Sequence, residues 1–195
     1  RGIEGGIRLR GNTTKGFPKK PYRIKFEKKQ SLFGHEKAKS WVLLAEYIDP
    51  SAMHNYTALA LGQIADGMKF NATAHKVNVY VNGRFEGLYT LCEQIQENEG
   101  RIDIEQTITP DMKNLRDYNF FFCMDASVAS DTDAILGETY FISTKNGGKV
   151  SFELKYPEKA DFPSEEQFYS FFSQWTEYVE DMMDIARSRN YKRMQ

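Results

Sequence analysis

The sequence predicts an α+β fold, a mostly antiparallel sheet with flanking helices. Three observations carry that expectation. Runs such as Ile7-Arg8-Leu9-Arg10 and Tyr22-Arg23-Ile24-Lys25-Phe26 alternate apolar and charged residues, the period of a half-buried strand. Asn82-Gly83 separates two alternating runs and has the residues of a type I′ hairpin turn. Phe168, Phe171, Phe172, Trp175, Val179, Met182 and Ala186 recur at helical spacing, opposite Glu166, Glu177, Glu180 and Asp184.

The elements follow in order. Gly5 to Arg10 and Tyr22 to Phe26 are strands with one apolar and one basic face, joined by a loop of Gly, Thr, Lys and Pro. Trp41-Val42-Leu43-Leu44-Ala45 is a short continuous apolar run, the pattern of a buried strand. Asp49-Pro50 offers a helix N-cap and a first-turn proline. Met53, Tyr56, Ala60 and Ile64 supply that helix's apolar stripe, and Asp66-Gly67 its stop. Lys76 to Ile95 holds the Asn82-Gly83 hairpin. A strand is expected from Tyr118 to Met124, then a second hairpin of Glu138 to Thr144 and Lys149 to Lys155 around Asn146-Gly147-Gly148. The last helix, 164–187, opens on Ser164 and Gln167, spaced as a capping box.

The 195 residues are 41% hydrophobic and 14% aromatic, a globular rather than a disordered composition. They are read as one domain, sheet-rich over 1–157, with helix 164–187 leading towards a further C-terminal part. Net charge is −1, yet residues 1–40 hold twelve Lys or Arg against three Asp or Glu. Such asymmetry suits an anionic partner, or two parts of one domain that neutralise each other. A pI near 6.4 argues against a nucleic-acid-binding domain, which is usually basic overall. Gly11 and Gly16 stand at P-loop spacing, but Phe17-Pro18 follow where Lys and Ser or Thr are needed to reach phosphate and Mg²⁺. Cys92 and Cys123 lie outside any CxxC pair, which argues against structural zinc and leaves two thiols or one disulfide open. No apolar run approaches membrane-span length, and no signal peptide is visible. The chain starts at Arg1 and stops at 187–195 without a glycine cap, so it is expected to be a piece of a longer protein.

Six phrases then fall into a recognisable order. They are Arg10-Gly11-Asn12-Thr13-Thr14; Lys20-Pro21-Tyr22-Arg23-Ile24-Lys25-Phe26; Trp41 to Ala45 with Asp49-Pro50; Val79-Tyr80-Val81-Asn82-Gly83; Gly87-Leu88-Tyr89 with Glu93-Gln94-Ile95; and Gly100-Arg101-Ile102-Asp103-Ile104. Together they resemble the spore-coat protein H (CotH) kinase-like family, whose members read roughly RGNST, KKPYRIKF, WVLLA, VYVNG, GxYxLxEQI and GRVDI. The resemblance implies an atypical kinase-like N-terminal lobe. It implies the nucleotide-binding portion of a protein kinase that moves phosphate from ATP, with Mg²⁺, to Ser or Thr of coat or extracellular proteins. It also implies an exported bacterial protein of the extracellular space, cell envelope or spore coat. The partner would be a protein substrate, with no nucleic acid and no membrane span.

Phosphoryl transfer needs cations on the phosphates, acids on Mg²⁺ and a group orienting the nucleophile. Lys25, on a strand face with Arg23, is the candidate phosphate-contacting lysine; the alternative is solvated surface. Glu93 is the acid on a face that otherwise reads Phe85, Gly87, Tyr89, Leu91 and Ile95. It holds Lys25 or a metal, or else anchors a turn or pairs with Arg101. Arg10 either clamps a phosphate or a substrate carboxylate, or bridges its loop to Glu27 or Asp103. Lys155 either lines the nucleotide pocket or sits on the surface at a strand end. Asp131-Thr132-Asp133 has the form of a DxD metal motif in a polar loop, and His35, His54 and His75 lack metal-site spacing.

No HRD or DFG phrase occurs, and Ala160-Asp161-Phe162-Pro163 has proline where the glycine would be. The resemblance therefore places the catalytic Asp and most metal-binding acids beyond Gln195, and implies that residues 1–195 are inactive alone. The competing reading is a non-catalytic module whose basic face recruits an acidic protein or glycan. It predicts salt-sensitive polyanion binding with no preference for ATP.

Overall fold

A computed structural model describes residues 2–68, 70–145 and 148–188. The chain forms two compact units, residues 1–103 and 104–195. Both are built on antiparallel sheet with one long helix each, so the α+β expectation holds.

The first unit is a five-stranded sheet of β1 (Gly5–Leu9), β2 (Tyr22–Gln30), β3 (Ala38–Leu44), β4 (Ala74–Val81) and β5 (Arg84–Glu93), in the order β1-β2-β3-β5-β4. Helix α1 (His54–Ile64) is inserted between β3 and β4. The register pairs Ile24 with both Ile7 and Trp41, and Trp41 with Glu93. Because side chains alternate across a strand, Tyr22, Ile24 and Phe26 join Trp41, Leu43, Tyr89 and Leu91 in one apolar cluster. Arg8, Arg23 and Lys25 are left on the opposite face. Farther along that face Val42 and Cys92 are buried with Ala72, and Leu59 of α1 packs on them. β3 and β5 are therefore covered on both sides, which is why Trp41 to Leu43 reads as an unbroken apolar run. Asn82 (φ 50°) and Gly83 (φ 82°) make the expected hairpin turn between β4 and β5.

Helix α1 departs from the expectation at its start and in its buried face, while Asp66-Gly67 form the turn that follows it as expected. It starts at His54 with Met53 at the N-cap, not at Asp49-Pro50. Asp49 still acts as a cap from five residues away, since its carboxylate accepts the His54 N–H at 2.8 Å and the Ser51 N–H at 3.0 Å. The expected stripe is not the buried one either, for Met53 and Ile64 are exposed. The helix is held instead through Leu59 and through Asn71, whose Nδ2 donates to Leu59 O at 2.6 Å while Gln63 Nε2 donates to Asn71 O. A side chain at Gly62 would collide with Asn71, its Cβ lying 2.5 Å from Nδ2.

The second unit holds β6 (Phe121–Met124), β7 (Tyr140–Ser143) and β8 (Val150–Tyr156) in the order β6-β8-β7, and helix α2 (Glu165–Ser188). The second hairpin forms, with Tyr140 to Ser143 paired to Glu153 to Val150. Its turn residues Asn146 and Gly147, like residues 189–195, lie outside the described residues. β6 starts three residues later than expected because Tyr118 ends a 3-10 turn and donates its hydroxyl to Met112 O at 2.8 Å. Phe168, Phe171, Phe172, Trp175 and Val179 of α2 are buried with Tyr118, Phe141, Phe152, Leu154 and Phe162 in one core. Towards the end of α2 the stripe passes to Ile185, and Ala186 faces out.

Ser164 caps α2 by accepting the Gln167 N–H at 3.2 Å. The Gln167 side chain, however, turns into the core and donates to Thr109 O, Met112 O and Tyr118 Oη, so the reciprocal half of the capping box is not made. Cys92 and Cys123 are both free thiols, and burial pushes the Cys92 thiol up to about 11. Among the described residues no helix is long and apolar enough to cross a membrane.

Candidate functional site

The basic face of the first unit arises directly from strand register. Arg8 pairs with Arg23 and Gly6 with Lys25, while Arg23 and Lys25 lie opposite Val42 and Ser40. Arg10 extends the ladder, its N–H donating to Pro21 O at 3.2 Å. Arg23 Nη2 donates to Ser40 Oγ at 3.1 Å, and its Nε is buried without a hydrogen-bond partner. Desolvation, then the charges of Arg8 and Arg10, lower the Arg23 pKa.

At the Arg10 end of this face a pocket of about 250 Å³ opens, lined among others by Arg10, Phe17, Lys19, Glu46, Tyr47 and Asn55. The Phe17 and Tyr47 rings stack at 5.3 Å. Lys19 is held there by β5: its Nζ donates to Leu88 O at 2.5 Å and lies 4.4 Å above the Tyr89 ring. Gly87, at φ 112°, makes room, since a Cβ there would come within 3.3 Å of Lys19 Cε. Burial lowers the Lys19 pKa, Glu46 opposes that shift and Lys76 adds to it.

Glu46 has a positive φ of 53°, uncommon for this residue type, and a side chain only 2% exposed. Its Oε2 accepts from Asn55 Nδ2 at 2.8 Å, and Oε1 lies 3.9 Å from Lys76 Nζ. Lys76 also donates to Thr90 Oγ1 at 2.7 Å and to Ala52 O. Nearby, Asp49 is held down to about 2, first by the Ser51 hydroxyl and then by the His54 N–H. Its acceptor capacity is spent on the chain that leads into α1.

Glu93 sits on the other face of the sheet. Oε2 accepts from Thr73 N and Oγ1 at 2.7 and 2.8 Å, and Oε1 lies 3.2 Å from Arg101 Nη1 and 3.8 Å from His35 Nδ1. Lys25 and Glu93 are therefore not brought together; of the partners open to Glu93, the structure takes Arg101. The Arg101 guanidinium stacks 4.9 Å over Trp41, so the EQI and GRIDI phrases meet at the apolar core.

In the second unit, Lys155 is ion-paired with Glu153 and half exposed. It lines an open pocket of about 740 Å³ with Asp131, Asp133, Glu138 and Lys159. Lys159 is bound to Glu138, Glu165 and the Tyr169 hydroxyl, each at 3.0 Å, and the Tyr169 hydrogen bond leads in raising its pKa. Among the described residues no group of three or more His, Cys, Asp or Glu is placed to hold a metal ion. His35 and His75 touch through their Nε2 atoms at 2.6 Å, and His54 lies 3.6 Å from Asp49.

Of the four candidate residues, only Arg10 and Lys25 share a surface, and only Arg10 lines the pocket of about 250 Å³ beside Lys19. Sequence reasoning missed Lys19, Glu46 and Lys76. Lys19 stands just ahead of the KPYRIKF phrase, and Glu46 directly follows WVLLA. Position beside those phrases was the available signal; alternation did not reveal them.

The model of the family described as CotH kinase protein matches residues 7–191. No curated protein matches the sequence.

Proposed function

The chain belongs to the CotH kinase protein family, and on that premise we propose that its first unit takes the phosphates of ATP at the Arg10–Lys19 pocket. The parent activity in this reading is phosphoryl transfer to Ser or Thr of a coat or extracellular protein. The observation that carries the reading is the convergence of Arg10 and Lys19 on one pocket. Its two carboxylates are already engaged, Glu46 by Asn55 and Lys76, and Asp49 by Ser51 and the His54 N–H. Phosphoryl transfer relies on positioned cations of this kind.

The volume supports a division of the ligand. Whole drug-sized ligands fill roughly 300–1,000 Å³, so about 250 Å³ suits one part of a nucleotide rather than all of it. Lys25 stands four residues along β2 from Pro21, roughly 13 Å at the rise of a strand. That exceeds the Debye length of about 8 Å at physiological salt, so Lys25 contributes a weak, screened field rather than a contact. Glu93 acts through Arg101 as scaffold, and Lys155 takes no part in this reading. The described residues do not fit a Mg²⁺ site by themselves.

Calorimetric titration with ATP and with inorganic triphosphate tests the proposal. Both should bind saturably. Arg10→Ala and Lys19→Met should each weaken binding by roughly 10–100-fold, the worth of one charge-assisted hydrogen bond, whereas Lys25→Met changes it only slightly. Unchanged affinity in folded Arg10→Ala and Lys19→Met variants would remove the phosphates from this pocket.

A further inference from the structure

β1 is the terminal strand of its sheet, and its ladder to β2 uses alternate residues. Arg10 N–H donates to Pro21 O and Glu27 N–H to Glu4 O. Gly6 and Arg8 fall in the same phase, opposite Lys25 and Arg23. Gly5, Ile7 and Leu9 therefore turn their N–H and C=O groups outward, along the free edge. All five β1 residues are exposed, Ile7 at 54% and Leu9 at 51%. Beside this edge Gly6, Ile7, Arg8, Arg23 and Lys25 line a groove of about 240 Å³, distinct from the pocket at Arg10. Among the described residues none of its three cations forms an ion pair with a carboxylate, and Arg23 Nε is buried without a partner.

Charges along an edge strand often serve only to prevent aggregation. Three cations beside one edge would also repel the same edge of a second copy and attract a strand that carries acids. We propose that β1 receives an added strand from a partner protein, an extended segment in which Asp or Glu alternates with apolar residues. Successive side chains of an added strand point to opposite faces. One set would lie beside Arg8, over Arg23 and Lys25; the other would lie beside Ile7 and Leu9. Backbone pairing with Gly5, Ile7 and Leu9 supplies affinity, and the charged face supplies selection.

The test is fluorescence anisotropy with a labelled peptide of alternating Glu and Val. The comparison peptides are one of the same composition in two blocks, one of alternating Lys and Val, and the alternating Glu peptide N-methylated at every second amide in each of the two phases. The alternating acidic peptide should bind saturably, on the order of tenfold more weakly to Arg8→Glu. Binding should be lost on N-methylation in one phase and kept in the other. Ile7→Pro should also abolish it, since proline removes an outward N–H that edge strands can spare. Four outcomes overturn the proposal: no binding; equal binding of the block peptide; equal binding of both N-methylated peptides, which marks a polyanion patch without strand pairing; or self-association of the chain that Ile7→Pro removes, which puts a second copy on this edge.

Discussion

Arg101 Nη1 lies 3.2 Å from Glu93 Oε1, with the two side chains 1% and 5% exposed. The pair ties the end of β5 to the loop that closes the first unit, and Thr73 fills the other carboxylate oxygen. Removing one partner leaves a buried charge alone, which is far costlier than removing both. Glu93→Ala should therefore destabilise the first unit by about 3–5 kcal/mol, and Glu93→Ala with Arg101→Met should recover part of that loss. Urea unfolding of the three proteins measures this, and an unchanged midpoint in Glu93→Ala would show that the pair carries no structure.

Asp49 gives the fold an acid-sensitive contribution. Its native pKa is near 2 against an ordinary 3.8, so the unfolded chain binds the proton first as pH falls. Stability from this group is complete above 3.8 and is lost progressively down to about 2. Thermal midpoints of wild type should fall across that interval more steeply than those of Asp49→Asn. Parallel curves would place the acid sensitivity elsewhere.

Gly87 is where backbone and pocket chemistry meet. Alanine there is strained at φ 112° and also presses on Lys19 Cε, a cost of roughly 1–3 kcal/mol. Gly87→Ala should lower the melting temperature and weaken triphosphate binding together. A stability loss with full triphosphate affinity would show that Lys19 is not needed where Gly87 lets it lie.

The two helices should respond unequally to substitution of their apolar residues. Phe171 is fully buried, and Phe171→Ala should cost about 3–5 kcal/mol. Ile64 is 77% exposed at the end of α1, and Ile64→Ser should stay within about 0.5 kcal/mol of wild type. Chemical denaturation reads both, and a comparable loss in Ile64→Ser would mean that this end of α1 is covered in solution.

Much of this was legible without coordinates. Alternation in Ile7 to Arg10 and Tyr22 to Phe26 identified two strands and sorted their side chains between faces, because the period of a strand is local. Asn82-Gly83 announced its own turn, since a type I′ turn needs positive φ at both positions. The stripe from Phe168 to Val179 named the core face of α2 for the same reason, and lost accuracy beyond it, where Met183 packs on the core in place of Met182 and Ile185 is buried in place of Ala186.

What lay beyond the sequence was every choice between partners. Periodicity puts Lys25 and Glu93 each on some face, but only the pairing of Ile24 with Trp41 and of Trp41 with Glu93 makes those faces opposite, and so assigns Glu93 to Arg101. Lys19 belongs to no pattern; it reaches the pocket because a glycine 68 positions away leaves room for its side chain. α1 was mis-phased because Leu59 packs on the sheet and Asn71, from outside the helix, holds the Leu59 carbonyl. Local geometry is written in neighbouring residues, whereas ion pairs and pockets depend on register across strands distant in the chain, and that is decided only when the sheet assembles.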